Sequence, residues 1–149
     1  MRNEHHDAGA RPEGPAGVVV HPDDCEIERW SPDRPGAVTW RTVLSGDRTP
    51  TDSLTVGVAE VAPGGTDEFA LHRHAPAEIY AVLSGEGVVM IDGVEHPIRA
   101  GCAVFIPGGA WHAARATGPA PLRLLYAFAV DAFGDVVYEF ADSADAGSD

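Results

Sequence analysis

The 149-residue chain contains no lysine and no glutamine, and its single asparagine, Asn3, stands near the start. Without lysine there is no Schiff-base chemistry, no phosphate-loop amine and no anchor for pyridoxal. Cysteine is scarce: Cys25 and Cys102 have 76 residues between them, form no pair motif and suit a reducing compartment, so they do not mark a redox protein. No run approaches the ~18 uninterrupted apolar residues that span a bilayer, and residues 1–17 lack the apolar centre of a secretory signal. A cytoplasmic protein without a membrane partner is therefore expected. None of Ser31, Ser45, Ser53 and Ser84 lies in a Gly-x-Ser-x-Gly elbow, which disfavours a serine hydrolase. Positive charge is also short, ten arginines against 23 acids, for a net charge of -13. The segments up to Trp30 and from Ala141 onward carry seven of those charges. Such a chain repels phosphate backbones and anionic lipid, so nucleic acid is not an expected partner.

The length fits one domain, and 44% hydrophobic residues are enough for one core. Residues 1–17, rich in Gly, Pro and charge, read as a disordered leader, 18–140 as the folded domain and 141–149 as an acidic flexible tail. Inside the domain, short β-rich runs alternate with turn signals. Strands are expected over 37–44, 54–62, 69–74, 78–83, 87–91, 94–99, 103–106, 111–116, 122–130 and 136–140, with an Asp92-Gly93 hairpin between the fifth and sixth. No ten-residue stretch carries a convincing helical period, so the fold class is all-β, an antiparallel sandwich or barrel.

Two segments carry the chemistry. His72 and His74 are separated by one residue, so on an extended strand both imidazoles project to one face, and Glu78 follows within reach. His112 supplies a further donor from a separate strand. The bland alternative is four buried polar side chains satisfying one another, but a buried carboxylate without a cation or several donors costs several kcal/mol. A divalent metal held by His72, His74, Glu78 and His112 resolves that cost, since imidazole and carboxylate form a hard-to-borderline donor set.

These segments resemble the two motifs of the cupin superfamily. The first reads His72, His74, Glu78, Gly85, with its opening glycine, Gly65, one place early. The second runs Gly101, Pro107, Gly109, His112 and ends on Ala116 where the family has asparagine. Fifteen residues, Glu86 to Ala100, separate the two, as in compact single-domain (monocupin) members. The resemblance implies a cupin-type β-barrel or jelly-roll sandwich holding one divalent ion per chain, Fe, Mn, Zn or Ni, with open positions for a small-molecule substrate or dioxygen. It also implies an enzyme of the dioxygenase, lyase, decarboxylase, isomerase or polyketide-cyclase type. A metal- or metabolite-binding sensory protein without turnover is the other reading.

Alternation places Tyr80 and Val82 on the face of Glu78, and Ala110, Ala114 and Ala116 on that of His112. Glu78 and Tyr80 are thus the candidate catalytic residues, Tyr80 as hydrogen-bond or proton donor to a substrate. The alanine-lined, aromatic-bearing wall suits a largely apolar or ring-bearing substrate. Leu122, Leu124, Tyr126 and Phe128 share one face and form either cavity wall or core. Glu60, Glu139, His96, Arg41 and Arg123 are expected on solvated faces, the two arginines being conceivable carboxylate anchors. His5, His6 and His21 are incidental. A homodimer is expected, with the strand bearing Trp40 as the edge that needs covering.

Overall fold

The computed structural model describes residues 16–30, 38–64 and 70–141. Most of the expected leader, the tail beyond 141, Gly65 and the first residues of two expected strands lie outside the described residues. Among the described residues, eleven strands appear in order: β1 (Glu28–Arg29), β2 (Val38–Leu44), β3 (Thr55–Val61), β4 (His72–Arg73), β5 (Glu78–Ser84), β6 (Glu86–Ile91), β7 (Val94–Arg99), β8 (Ala103–Ile106), β9 (His112–Ala116), β10 (Leu122–Phe128) and β11 (Glu139–Phe140). They form two sheets, β1-β2-β3-β10-β5-β8 and β11-β4-β9-β6-β7, in which every pairing is antiparallel. The architecture is a jelly-roll sandwich whose sheets do not close into a barrel. No helix among the described residues is long and apolar enough to cross a membrane.

Period-2 patterning explains the core. Leu122, Leu124, Tyr126 and Phe128 are 0%, 2%, 5% and 1% exposed, while Arg123, Leu125 and Ala127 between them are half-buried on the other side of the sheet. Val82 and Ile106 from the same sheet meet Val89 and Ile98 from the opposite one in a single apolar cluster. The Asp92-Gly93 turn joins β6 to β7 with Ile91 opposite Val94, as the hairpin signal predicted.

Gly57 lies opposite Tyr126 on β10, and a Cβ there would run into the hydroxyl end of that ring. Gly57→Ala is expected to displace Tyr126 and to cost about 1–3 kcal/mol of stability, read from urea denaturation midpoints. An unchanged midpoint would mean that the ring moves aside freely.

Three expectations need correcting. The run 136–140 is a strand only at Glu139–Phe140. Phe133–Asp135 before it is a 3-10 turn, with the Asp135 carboxylate accepting from the Ala132 amide at 3.2 Å. The strand expected over 69–74 shrinks to His72–Arg73, because the chain bends at Ala75 and Pro76 and proline offers no ladder donor. The strand bearing Trp40 is not an open edge. β1 pairs with it, Glu28 opposite Trp40, and the indole is only 9% exposed, 4.7 Å from Trp30.

Candidate metal centre

The site forms where the sheets face each other. His72 on β4 is the register partner of His112 on β9, with ring centroids 4.3 Å apart. His74 lies just past the end of β4, its ring 4.9 Å from that of His112. The turn that follows is held by the Pro107-Gly108-Gly109 loop. The Gly109 amide donates to the His74 carbonyl at 2.8 Å, and Gly108 lies so close to the Ala75 carbonyl that a side chain has no room. That contact gives the spacing of the second motif a physical purpose. Glu78 opens β5 on the other sheet and is 5% exposed.

Each histidine is fixed by a backbone carbonyl at Nδ1: Ala70 at 2.8 Å for His72, Pro76 at 2.8 Å for His74 and Ala110 at 2.9 Å for His112. A carbonyl only accepts, so Nδ1 carries the proton and the neutral ring presents an Nε2 lone pair. The Nε2 atoms of His74 and His112 lie 3.1 and 3.2 Å from Oε2 of Glu78. Lone pair facing carboxylate is repulsive unless a positive charge lies between them. Protonating both rings would bury a net charge, whereas a divalent ion satisfies every donor at once. The ligating atoms of His72, His74 and His112 all lie within 4.8 Å of one another, a span that one ion can bridge. The residues present therefore fit a metal.

Electrostatics agree. Burial, with the neighbouring His112, pushes His72 down to about 4, so its ring is neutral at pH 7. Burial raises the Glu78 carboxyl, and the group is held below its ordinary value only where positive charge at the His112 and His74 nitrogens opposes that, the part a bound ion would play. In metal-free protein the His72 shift sets the pH dependence. A depressed native pKa means that the unfolded chain binds the extra proton first, so the stability present above pH 6.5 is lost as pH falls toward 4. Chelator-treated protein is expected to be less stable at pH 5 than at pH 7 by roughly 2 kcal/mol from His72 alone. His72→Gln should flatten that slope, and an equal slope in both proteins would refute the assignment.

Beside the histidines opens a cavity of about 420 Å³. Tyr80, Ala114, Ala116, Leu124 and Tyr126 line it, as alternation predicted for the first three. Tyr80 is 7% exposed, its ring 6.4 Å from His112, and burial together with the Glu78 charge raises its phenol well above the ordinary range. Trp30, Phe133 and Tyr138 also join the wall, although no residue spacing points to them. All three lie in short irregular segments. The one available signal was the density of aromatics in two stretches that period-2 patterning does not explain.

The other candidates stay outside. Arg41 donates to the Cys25 carbonyl at 2.7 Å and pins the N-terminal segment. Arg123 is half-buried on the outer face of β10, and Glu60 and His96 are exposed. Glu139 forms a bidentate pair with Arg73, whose guanidinium also stacks on Trp111 at 4.5 Å. This exposed clasp ties β11 to the strand that carries His72. His21 caps the 3-10 turn Pro22–Asp24 through Nδ1.

Comparison with known proteins matches residues 57–128 to the cupin domain family. The dimethylsulfoniopropionate (DMSP) lyase DddW of Ruegeria pomeroyi is 45% identical over 109 residues, spanning 73% of this chain and 70% of the relative. A solved structure of a predicted oxalate decarboxylase from Thermotoga maritima superposes with a TM-score of 0.63 at 30% identity, covering 76% of this chain and 99% of that one. One from the DMSP lyases RdDddP and RnDddQII superposes with a TM-score of 0.58 at 26% identity, covering 70% of this chain and 52% of that one.

Proposed function

The chain belongs to the cupin family, and from that premise we propose that it is a metal-dependent lyase acting on a small β-substituted carboxylate such as DMSP. The carrying observation is the pairing of three histidines, all presenting Nε2 lone pairs, with Tyr80 on the same cavity. The 45% identity to a DMSP lyase supports it.

His72, His74, His112 and Glu78 would hold one ion. A divalent cation bound there would supply Lewis acidity, polarising the substrate carboxylate and increasing the acidity of its α-hydrogen and of the Tyr80 phenol. Tyr80 then handles the proton. As phenolate it takes the α-hydrogen; the C–H pair becomes the α,β double bond, and the bond from the β-carbon to sulfur breaks with its electrons leaving on the neutral sulfide. A phenol held well above its ordinary pKa is, once ionised, a strong base, which abstraction from carbon requires. The apolar cavity wall keeps bulk water from the carbanion. No oxidant enters this balance, so we favour the lyase type over the dioxygenase type. The aromatic wall accommodates an apolar substrate, as composition suggested, but equally a cationic head.

The test is incubation of protein reconstituted separately with Fe(II), Mn(II), Zn(II) or Ni(II) with DMSP, following dimethyl sulfide and acrylate release. Equimolar products without oxygen uptake are expected. No product with any of the four metals would overturn the reading. The 30% identical predicted oxalate decarboxylase favours, as a second reading, a site for a small dicarboxylate; oxalate binding measured by calorimetry in the absence of lyase activity would establish it. A cytoplasmic homodimer completes the proposal, and light scattering at micromolar protein should give twice the chain mass.

A further inference from the structure

The proposed chemistry uses the histidine end of the cavity and leaves the other end unexplained. Four rings from three stretches of the chain close on one another there. Trp30 lies 4.7 Å from Trp40, Trp40 lies 6.1 Å from Phe133, Phe133 lies 6.1 Å from Tyr138, and Tyr138 returns to Trp30 at 5.0 Å. All four line the cavity, Trp40 as a member of the core cluster and the other three packed against it. Tyr138 connects the quartet to the metal centre, its ring 5.4 Å from His72 and 5.3 Å from His74. A ligand with a carboxylate at the histidines thus reaches the rings with a head group only a few bonds away.

Among the described residues that line this space, the charged side chains are Glu78 and Arg115. Glu78 lies at the histidine end, where its carboxylate would face the ion. Arg115 also borders the cavity, but it alternates with His112 along β9, and its guanidinium extends to Glu95 at 3.5 Å on the exposed side. Aromatic faces carry negative quadrupole density, and a cation desolvated among them is attracted to each face it meets. A purely apolar head would be buried as well, but it would draw nothing from the electrostatics.

We propose that Trp30, Trp40, Phe133 and Tyr138 form an onium cage that reads the charge and methyl surface of the head group and not its central atom. The inference rests on the lyase reading only for the carboxylate end. It carries a consequence that the reading lacks: quaternary ammonium carboxylates occupy the same site as dead-end ligands. Their recognition is equivalent to that of a sulfonium, but a trialkylamine is a far more basic leaving group than a dialkyl sulfide, so elimination stalls.

Calorimetry on metal-replete protein with 3-(trimethylammonio)propanoate and with its neutral isostere, 4,4-dimethylpentanoate, separates charge from shape. Tetramethylammonium chloride, followed by tryptophan fluorescence, probes the cage alone. The ammonium ligand is expected to bind about tenfold more tightly than the isostere. Trp30→Leu should abolish that preference and Trp30→Phe should keep it, with isostere binding retained in each as the sign that the cavity remains formed. Equal or tighter binding of the isostere overturns the cage whether or not DMSP is cleaved, and so does failure of all three probes to bind. Tetramethylammonium binding with no gain from the attached carboxylate keeps the cage and instead refutes the carboxylate end of the lyase reading.

Discussion

Protein carrying His112→Ala is expected to purify without metal and to lose about 3–5 kcal/mol of stability. His112 is fully buried, and its ring faces His72, His74 and Glu78 at once. Truncating it does three things together. It removes one of three ligating nitrogens, leaves a void between the sheets, and strands the Glu78 carboxylate with His74 as its remaining imidazole partner. The last effect is costly because a 5% exposed carboxylate has little access to water. Elemental analysis of protein purified without chelators and chemical denaturation provide the two readouts. Full metal occupancy together with an unchanged denaturation midpoint would eliminate the four-ligand site. Loss of metal alone, without loss of stability, would mean that Glu78 finds another cationic partner.

Tyr80→Phe is expected to reduce lyase turnover by about a hundredfold or more, equivalent to ~2.7 kcal/mol of transition-state stabilisation, with metal content and melting temperature intact. The substitution deletes only the hydroxyl. The ring is held by its place in β5, with Tyr126 of β10 and Val104 of β8 as register partners, so packing survives. A role in proton handling lowers kcat with little change in KM, whereas loss of a substrate hydrogen bond made equally in ground and transition states would raise KM alone. Unchanged kinetics would return Tyr80 to packing and shift proton handling to Tyr126 or Tyr138, the cavity's other two tyrosines.

The strands that could be read from the sequence were those with uninterrupted alternation. β10 is the clearest case, since Leu122, Leu124, Tyr126 and Phe128 bury one face as a period of two requires. The cluster of three histidines was equally legible, because His72-x-His74 is local and His112 follows a Pro-x-Gly turn whose backbone supports His74. What escaped were features created by distant segments. Trp40 suggested an edge because nothing in 37–44 reveals that Glu28–Arg29 will pair beside it. Tyr138 looked like one more strand residue, yet the 3-10 turn at Phe133–Asp135 swings it over the histidine rings. Such placements depend on how short, non-periodic segments settle on a finished surface, and no residue spacing encodes that.

His72 and His112 belong to the five-stranded sheet and Glu78 to the six-stranded one, so an ion shared among them would rivet the two layers. Its loss should then register far from the ligands. Amide protons along β9 and β6 on one layer and β5 and β10 on the other are expected to exchange with a common opening free energy when the ion is present, and to separate into two classes after chelation, as each layer begins to breathe on its own.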